Sequence, residues 1–128
     1  FRRAIAERIG LLALDEDAAW RHAKAAWGSR TEGKGAAYVL QTRARSDSLH
    51  RALQALRPQG TVIDLAFYQG GMDGLRLGEE FHHNGLAVVC AQINRTPRVL
   101  APAWDQRRLA HETLRMLGTE GEAVRRHM

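Results

Sequence analysis

Arg57-Pro58-Gln59-Gly60-Thr61-Val62-Ile63-Asp64-Leu65-Ala66-Phe67-Tyr68-Gln69-Gly70-Gly71 is the stretch whose reading decides the fold. Thr61 to Phe67 is β-branched and largely apolar, the composition of a strand covered on both faces, as in a parallel sheet under crossover helices. Before it, Leu49, Ala52, Leu53 and Leu56 recur at helical spacing. A helix from Asp47 to Leu56 would bury that stripe and turn Arg51 and Gln54 outward. Ser46 or Asp47 is its expected cap, and Pro58 and Gly60 stop it. Helix, short turn, buried strand and glycine loop make half of a βαβ unit.

Working outward, Arg2 to Ile9 reads as a helix with Ile5 and Ile9 on its inner side and Gly10 as its stop. Leu11 to Leu14 reads as a short edge strand. Asp15 or Asp17 caps a second helix that runs to about Trp27, with Ala19, Trp20, Ala23 and Trp27 on one face. Thr31 to Gly35 is a turn, Ala37 to Thr42 a buried strand, and Arg43 to Ser46 a loop. Gln69 to Gly74 is a glycine loop, Leu75 to Asn84 is partly helical and ends at Gly85, and Leu86 to Ile93 is a third strand. Pro97 and Pro102 mark an irregular connection. Trp104 to Leu117 is an amphipathic helix with Leu109, Thr113, Leu114 and Leu117 inward, and Glu120 to Met128 is a further helical segment. Strands alternating with helices at this spacing predict an α/β fold with a doubly wound parallel sheet in three layers. Residues 1–30 would supply peripheral helices and an edge strand, 36–95 the core, and 104–128 the C-terminal helices.

Taken together, these segments resemble the cofactor domain of the medium-chain, zinc-type alcohol dehydrogenase family. Leu49 to Gly60 is similar to that family's "leucine, two residues, alanine-leucine" helix running into "arginine or leucine, proline, x, glycine". Arg2 to Asp15 resembles its helix after the second strand, Thr31-Glu32-Gly33-Lys34-Gly35-Ala36 its turn before the fourth strand, and Glu80 to Val89 its helix and last strand. The resemblance covers nearly the whole chain through the order and spacing of its motifs. It implies a partial Rossmann-like sheet, with the strands at Ala37, Thr61 and Leu86 side by side. The first strand, the Gly-x-Gly-x-x-Gly turn, the second strand with its ribose-binding acid, and the zinc-bearing catalytic domain would all precede Phe1. The Leu11 strand would lie on the far edge, two absent strands away, so residues 1–27 would dock loosely.

The resemblance also implies a site. In open α/β sheets the ligand sits at the carboxyl ends of the strands. Gln41, Thr42 and Arg43, which end the first strand, would lie along the ribose of NAD or NADP. Ala66, Phe67 and Tyr68, which end the second, would lie beside the nicotinamide carboxamide, and Ala91, Gln92 and Ile93 would form another wall. Two departures bear on this transfer: Ala37 stands where the family has an acid, and Ala44 where it has a close-approach glycine. Arg43 or Arg45 could instead meet a phosphate. The implied activity is hydride transfer between a nicotinamide cofactor and an alcohol or carbonyl, with zinc held elsewhere and the isolated chain inactive. The implied partners are the cofactor, a small alcohol or carbonyl substrate, and a second copy joined through the last strand.

Composition narrows the classes. The chain has 128 residues, 45% hydrophobic and 26% charged, with formal net charge +5 and a pI near 10.3. Its basic residues scatter over Arg2, Arg3, Arg8, Arg43, Arg45, Arg107, Arg108, Arg125 and Arg126 rather than forming the single-faced patch of a nucleic-acid binder. No apolar run of about 18 residues is present and Phe1-Arg2-Arg3 is not followed by the apolar stretch that a secretory signal needs, so the expected setting is the cytoplasm. A single cysteine, Cys90, excludes an internal disulfide. Glu79, Glu80, His82 and His83 have some ligand spacing but no further ligand, so a solvated helix end is favoured over a metal site. His111 with Arg107, Arg108 and Glu112 reads as surface. No Gly-x-Ser-x-Gly elbow, Cys-His pair or carboxylate dyad points to a hydrolase. The alternatives are a non-catalytic basic α/β module binding a nucleotide, anion or acidic partner through Arg43, Arg45 and the glycine loop, and a truncated product that binds nothing stably.

Overall fold

Leu56 both closes a helical stripe and opens a strand, and the core is built around that junction. The computed structural model describes residues 2–93 and 95–127, apart from the side chains at 123, 124 and 127. The expectations for Phe1 and Met128 fall outside the described residues. In chain order the elements are α1 (Arg2–Arg8), α2 (Glu16–Ala26), β1 (Gly28–Ser29), β2 (Gly33–Lys34), β3 (Ala36–Gln41), α3 (Ser46–Ala55), β4 (Leu56–Asp64), α4 (Glu80–His83), β5 (Ala87–Cys90) and α5 (Gln106–His127). They fall into two compact units, Asp15–Ala91 and a second made of Phe1–Leu14 with Gln92–Met128.

The Asp15–Ala91 unit is an α/β layer. Its sheet has the order β3-β4-β5, and both pairs are parallel, as expected for the strands at Ala37, Thr61 and Leu86. Helix α3 connects β3 to β4 and lays Leu49, Ala52 and Leu53 against Leu56, Val62 and Leu86, with Val39, Tyr68, Leu75 and Phe81 packed around them. Leu53, Leu56 and Val62 are fully buried. Helix α2 packs on α3 and buries Ala23. Its Lys24 Nζ donates to the Leu56 carbonyl at 2.6 Å, and an Arg51–Asp17 ion pair at 2.9 Å ties the two helices further along.

The strand at Thr61 departs from expectation in three ways. It opens earlier, at Leu56, and closes at Asp64 rather than Phe67. Its pairing slips: Ala36 faces Leu56 but Tyr38 faces Thr61, so residues 57–60 bulge out. Gln59 takes φ +61° there while its amide donates to the Asn84 carbonyl at 2.9 Å. Nor is the sheet covered on both faces. Val39 and Val62 share a register row on the side that α3 covers, whereas in the rows to either side of it Tyr38 and Leu40 stay 68% and 67% exposed. The unit therefore has two layers, not three.

Helix α3 begins at Ser46, and its N-cap is Arg45, with no side-chain capping bond. Neither expected capper acts: Ser46 Oγ accepts instead from the Gly74 amide at 3.2 Å, and Asp47 Oδ1 accepts from the Ser48 amide next door. On α2, Ala19 and Trp27 are exposed, so only Trp20 and Ala23 hold the predicted face. The glycine turn is a small antiparallel hairpin, β1 with β2. Gly35 leads from it into β3 at φ +121°, buried so tightly that a Cβ would meet the Ala55 carbonyl oxygen and the Arg57 nitrogen at 2.6 Å each. Only glycine passes there.

In the second unit, α1 ends as expected at Gly10 (φ +84°), with the Leu11 amide donating back to Ala6. Residues 11–14 form no strand, because no neighbouring backbone offers them a ladder, and Leu11 and Leu12 are exposed. Helix α5 is continuous through Gly118 and Gly121 where two segments were expected. Asp105 Oδ1 accepts from the Arg108 amide at 2.7 Å at its start. Of its predicted inward residues Leu109 is half-buried, while Thr113, Leu114 and Leu117 are exposed. Among the described residues no helix is long and apolar enough to cross a membrane.

Candidate ligand crevice at the strand ends

Parallel pairing brings the carboxyl ends of β3, β4 and β5 to one end of the sheet. There Gln41, Asp64 and Cys90 stand opposite one another in register. Gln41 is 6% exposed and Asp64 8%. Two such polar side chains in the interior need partners, and each finds them in the chain that follows its own strand. Gln41 Nε2 donates to the Arg43 carbonyl at 3.0 Å, and its Oε1 accepts from the Arg43 amide at 3.4 Å. Asp64 Oδ1 accepts from the Ala66 amide at 3.0 Å and from the Tyr68 hydroxyl at 3.3 Å. Their carbonyls extend the ladder, Gln41 accepting from the Leu65 amide at 2.8 Å and Asp64 from the Ala91 amide at 2.9 Å.

The electrostatics follow from that packing. Burial pushes the Tyr68 phenol above its ordinary pKa and the Asp64 charge adds to this, while a hydrogen bond with Gln41 works in the opposite direction. On the rim, Arg43 pairs with Glu16 Oε2 at 2.9 Å. Arg45 forks onto both oxygens of Asp47, and that contact holds the Asp47 carboxyl below the usual carboxylate range. Both arginines therefore face carboxylates, although both remain largely exposed.

The structure gathers Gln41, Thr42, Arg43, Ala66, Phe67, Tyr68 and Ala91 in one unit near the strand ends. Thr42 and Phe67 are exposed and Ala66 and Tyr68 half-buried. Only Gln41 lies within a strand: Ala66 to Tyr68 follow the end of β4, and Ala91 follows the end of β5 at Cys90. Gln92 and Ile93 belong to the other compact unit, where Ile93 is 90% exposed. Asp64 was absent from the expected set. Its signal lay in plain view as a lone carboxylate inside an apolar strand, which must be either bonded or functional.

The histidine–glutamate set is a network of local contacts. His83 Nδ1 lies 2.9 Å from the Glu79 carbonyl oxygen, Glu79 Oε2 lies 3.5 Å from His50 Nε2, and Glu80 bonds Asn84. Among the described residues no three His, Cys, Asp or Glu side chains group as a metal site. A groove of about 550 Å³ opens at the other end of β3, lined by Trp27, Glu32, Tyr38 and Arg57 among others. It is an open surface hollow away from the strand tips, and we place the candidate site at the tips because the buried polar groups converge there. Comparison with models of known protein families gives no match for this chain, and comparison with curated proteins gives none.

Proposed function

We propose that this chain forms part of a nicotinamide-dinucleotide-binding, Rossmann-like domain of a zinc-type, medium-chain alcohol dehydrogenase or a close oxidoreductase relative. The observation that carries the reading is the parallel order β3-β4-β5, with Gln41 and Asp64 buried side by side at the carboxyl ends. That is where open α/β sheets hold their ligands. The exposed outer edge of β3 and its bare Tyr38–Leu40 face fit a sheet that continues into a first nucleotide-binding half.

On this reading the segments 41–43 and 66–68, with Ala91, wall the nicotinamide and ribose end of NAD or NADP, and what they contribute is shape and hydrogen-bond positions. The cofactor, when bound, supplies hydride acceptance from an alcohol, and the zinc that polarises the substrate oxygen belongs to residues outside this chain. The free edge of β5 would serve a second copy, and the setting would be cytoplasmic. A basic anion-binding module is less favoured because Arg43 and Arg45 both face carboxylates.

Titrating the chain with NADH while following backbone amides by NMR tests the proposal. Shifts at Ala66 to Tyr68 and Ala91 are the expected outcome. Shifts confined to Arg43 and Arg45, reproduced by inorganic phosphate, would favour the anion module, and no shift at any strand end would end the dinucleotide reading for this chain.

A further inference from the structure

We propose that Asp64 is the positioning residue of the crevice: one carboxylate oxygen folds the segment after β4 into the shape that the ligand meets, and Gln41 does the same after β3. The role of that segment as a ligand wall rests on the reading above, but the fold of the segment does not. Both bonds from residues 66 and 68 end on the same atom, Oδ1. The amide of Ala66 thereby closes a turn two residues beyond the carboxylate, and the Tyr68 hydroxyl brings its ring back toward β4, where it packs against the core cluster. Phe67 between them is left 80% exposed.

Three features argue that this arrangement is more than incidental packing. A valine or isoleucine at position 64 would suit the strand and its burial better than an ionised carboxylate, whose desolvation is unfavourable unless hydrogen bonds offset it. The bonds that offset it go to the segment that follows the strand. Gln41, its register neighbour, repeats the device with both of its side-chain polar atoms on Arg43, and it also meets the Tyr68 hydroxyl. Two adjacent strands thus each end in a buried polar side chain that clamps its own exit. Such clamps are what a preformed ligand wall needs, since backbone ordered in advance is not ordered at the expense of binding.

Since one acceptor oxygen makes both contacts, asparagine should replace Asp64 and alanine should not. The full chain is compared as wild type, Asp64→Ala, Asp64→Asn and Tyr68→Phe, reading amide exchange at Ala66 relative to Val62, the Tyr68 phenol titration and the NADH dissociation constant. Asp64→Ala should speed Ala66 exchange about fivefold and weaken NADH to a similar degree, the size expected for one lost hydrogen bond. Asp64→Asn should hold both near wild type while lowering the phenol pKa, because the charge is gone and the acceptor remains. Tyr68→Phe should leave the Ala66 amide protected. Unchanged Ala66 exchange in Asp64→Ala, or an Asp64→Asn chain as exposed at Ala66 as the alanine one, overturns the proposal. Should the alanine chain fail to fold, the asparagine and phenylalanine chains still decide it. If wild type binds no NADH, the dinucleotide reading fails while the exchange data still accept or reject the clamp.

Discussion

Tyr68 holds its hydroxyl against a buried carboxylate, and that geometry has a pH signature. An ionised phenol beside Asp64 would place two negative charges together in a partly dry site, so the fold favours the neutral form and the pKa is raised. A group whose folded pKa lies above its unfolded value of about 10 lends its stability fully below that pH and loses it as pH climbs through the folded value. Urea unfolding of wild type and Tyr68→Phe at pH 8 and pH 11 should therefore differ in a defined direction: the wild-type chain loses more stability between the two pH values than the phenylalanine chain. Equal losses would mean that Tyr68 ionises as freely folded as unfolded. At this scale the sequence is uneven. Gly10 and Gly85 announce their turns, and both adopt positive φ. The roles of Asp64 and Gln41 could not be read, because a polar residue in an apolar strand reveals only that it needs partners, and its partners here depend on how the following loop folds.

At the scale of elements, two helices with similar apolar stripes meet different fates. Leu53 of α3 is fully buried beneath Leu56 and Val62, whereas Leu114 of α5 is 70% exposed. Truncating Leu53 to alanine should cost about 3 kcal/mol, through lost transfer energy and the cavity left behind. Truncating Leu114 should change stability by less than about 0.5 kcal/mol, as surface substitutions do. Chemical denaturation of both variants checks the contrast, and a large loss at Leu114 would show that α5 buries that face in solution. The stripe at Leu49, Ala52 and Leu53 predicted burial correctly because the strand it needs follows at once, joined at Leu56. The same periodicity in α5 predicted an inward face that the structure does not show. Periodicity records which residues could be buried together and is silent on whether a partner is present. The Leu11–Leu14 expectation failed for a related reason, since a strand exists only by pairing.

For the molecule as a whole, the parallel order of the three main strands was legible, because helix-linked apolar runs at this spacing leave few other topologies. The division into units was not, since it depends on which contacts form between segments far apart in sequence. The entire buried cluster of Leu49, Ala52, Leu53, Leu56, Val62 and Leu86 lies inside Asp15–Ala91. The ladders that hold the sheet lie within the same span. Cooperative unfolding follows a shared core, and segments outside it open at lower free energy. Limited proteolysis of the full chain should then cut first in the irregular stretch 95–105 or near residues 11–14. After those cuts, slow amide exchange at Leu53 and Val62 should persist at its uncut value. If cleavage there releases exchange at Val62 to the rate of the open chain, the core drawn around Leu56 is incomplete, and residues beyond Ala91 must be supplying part of what holds the sheet together.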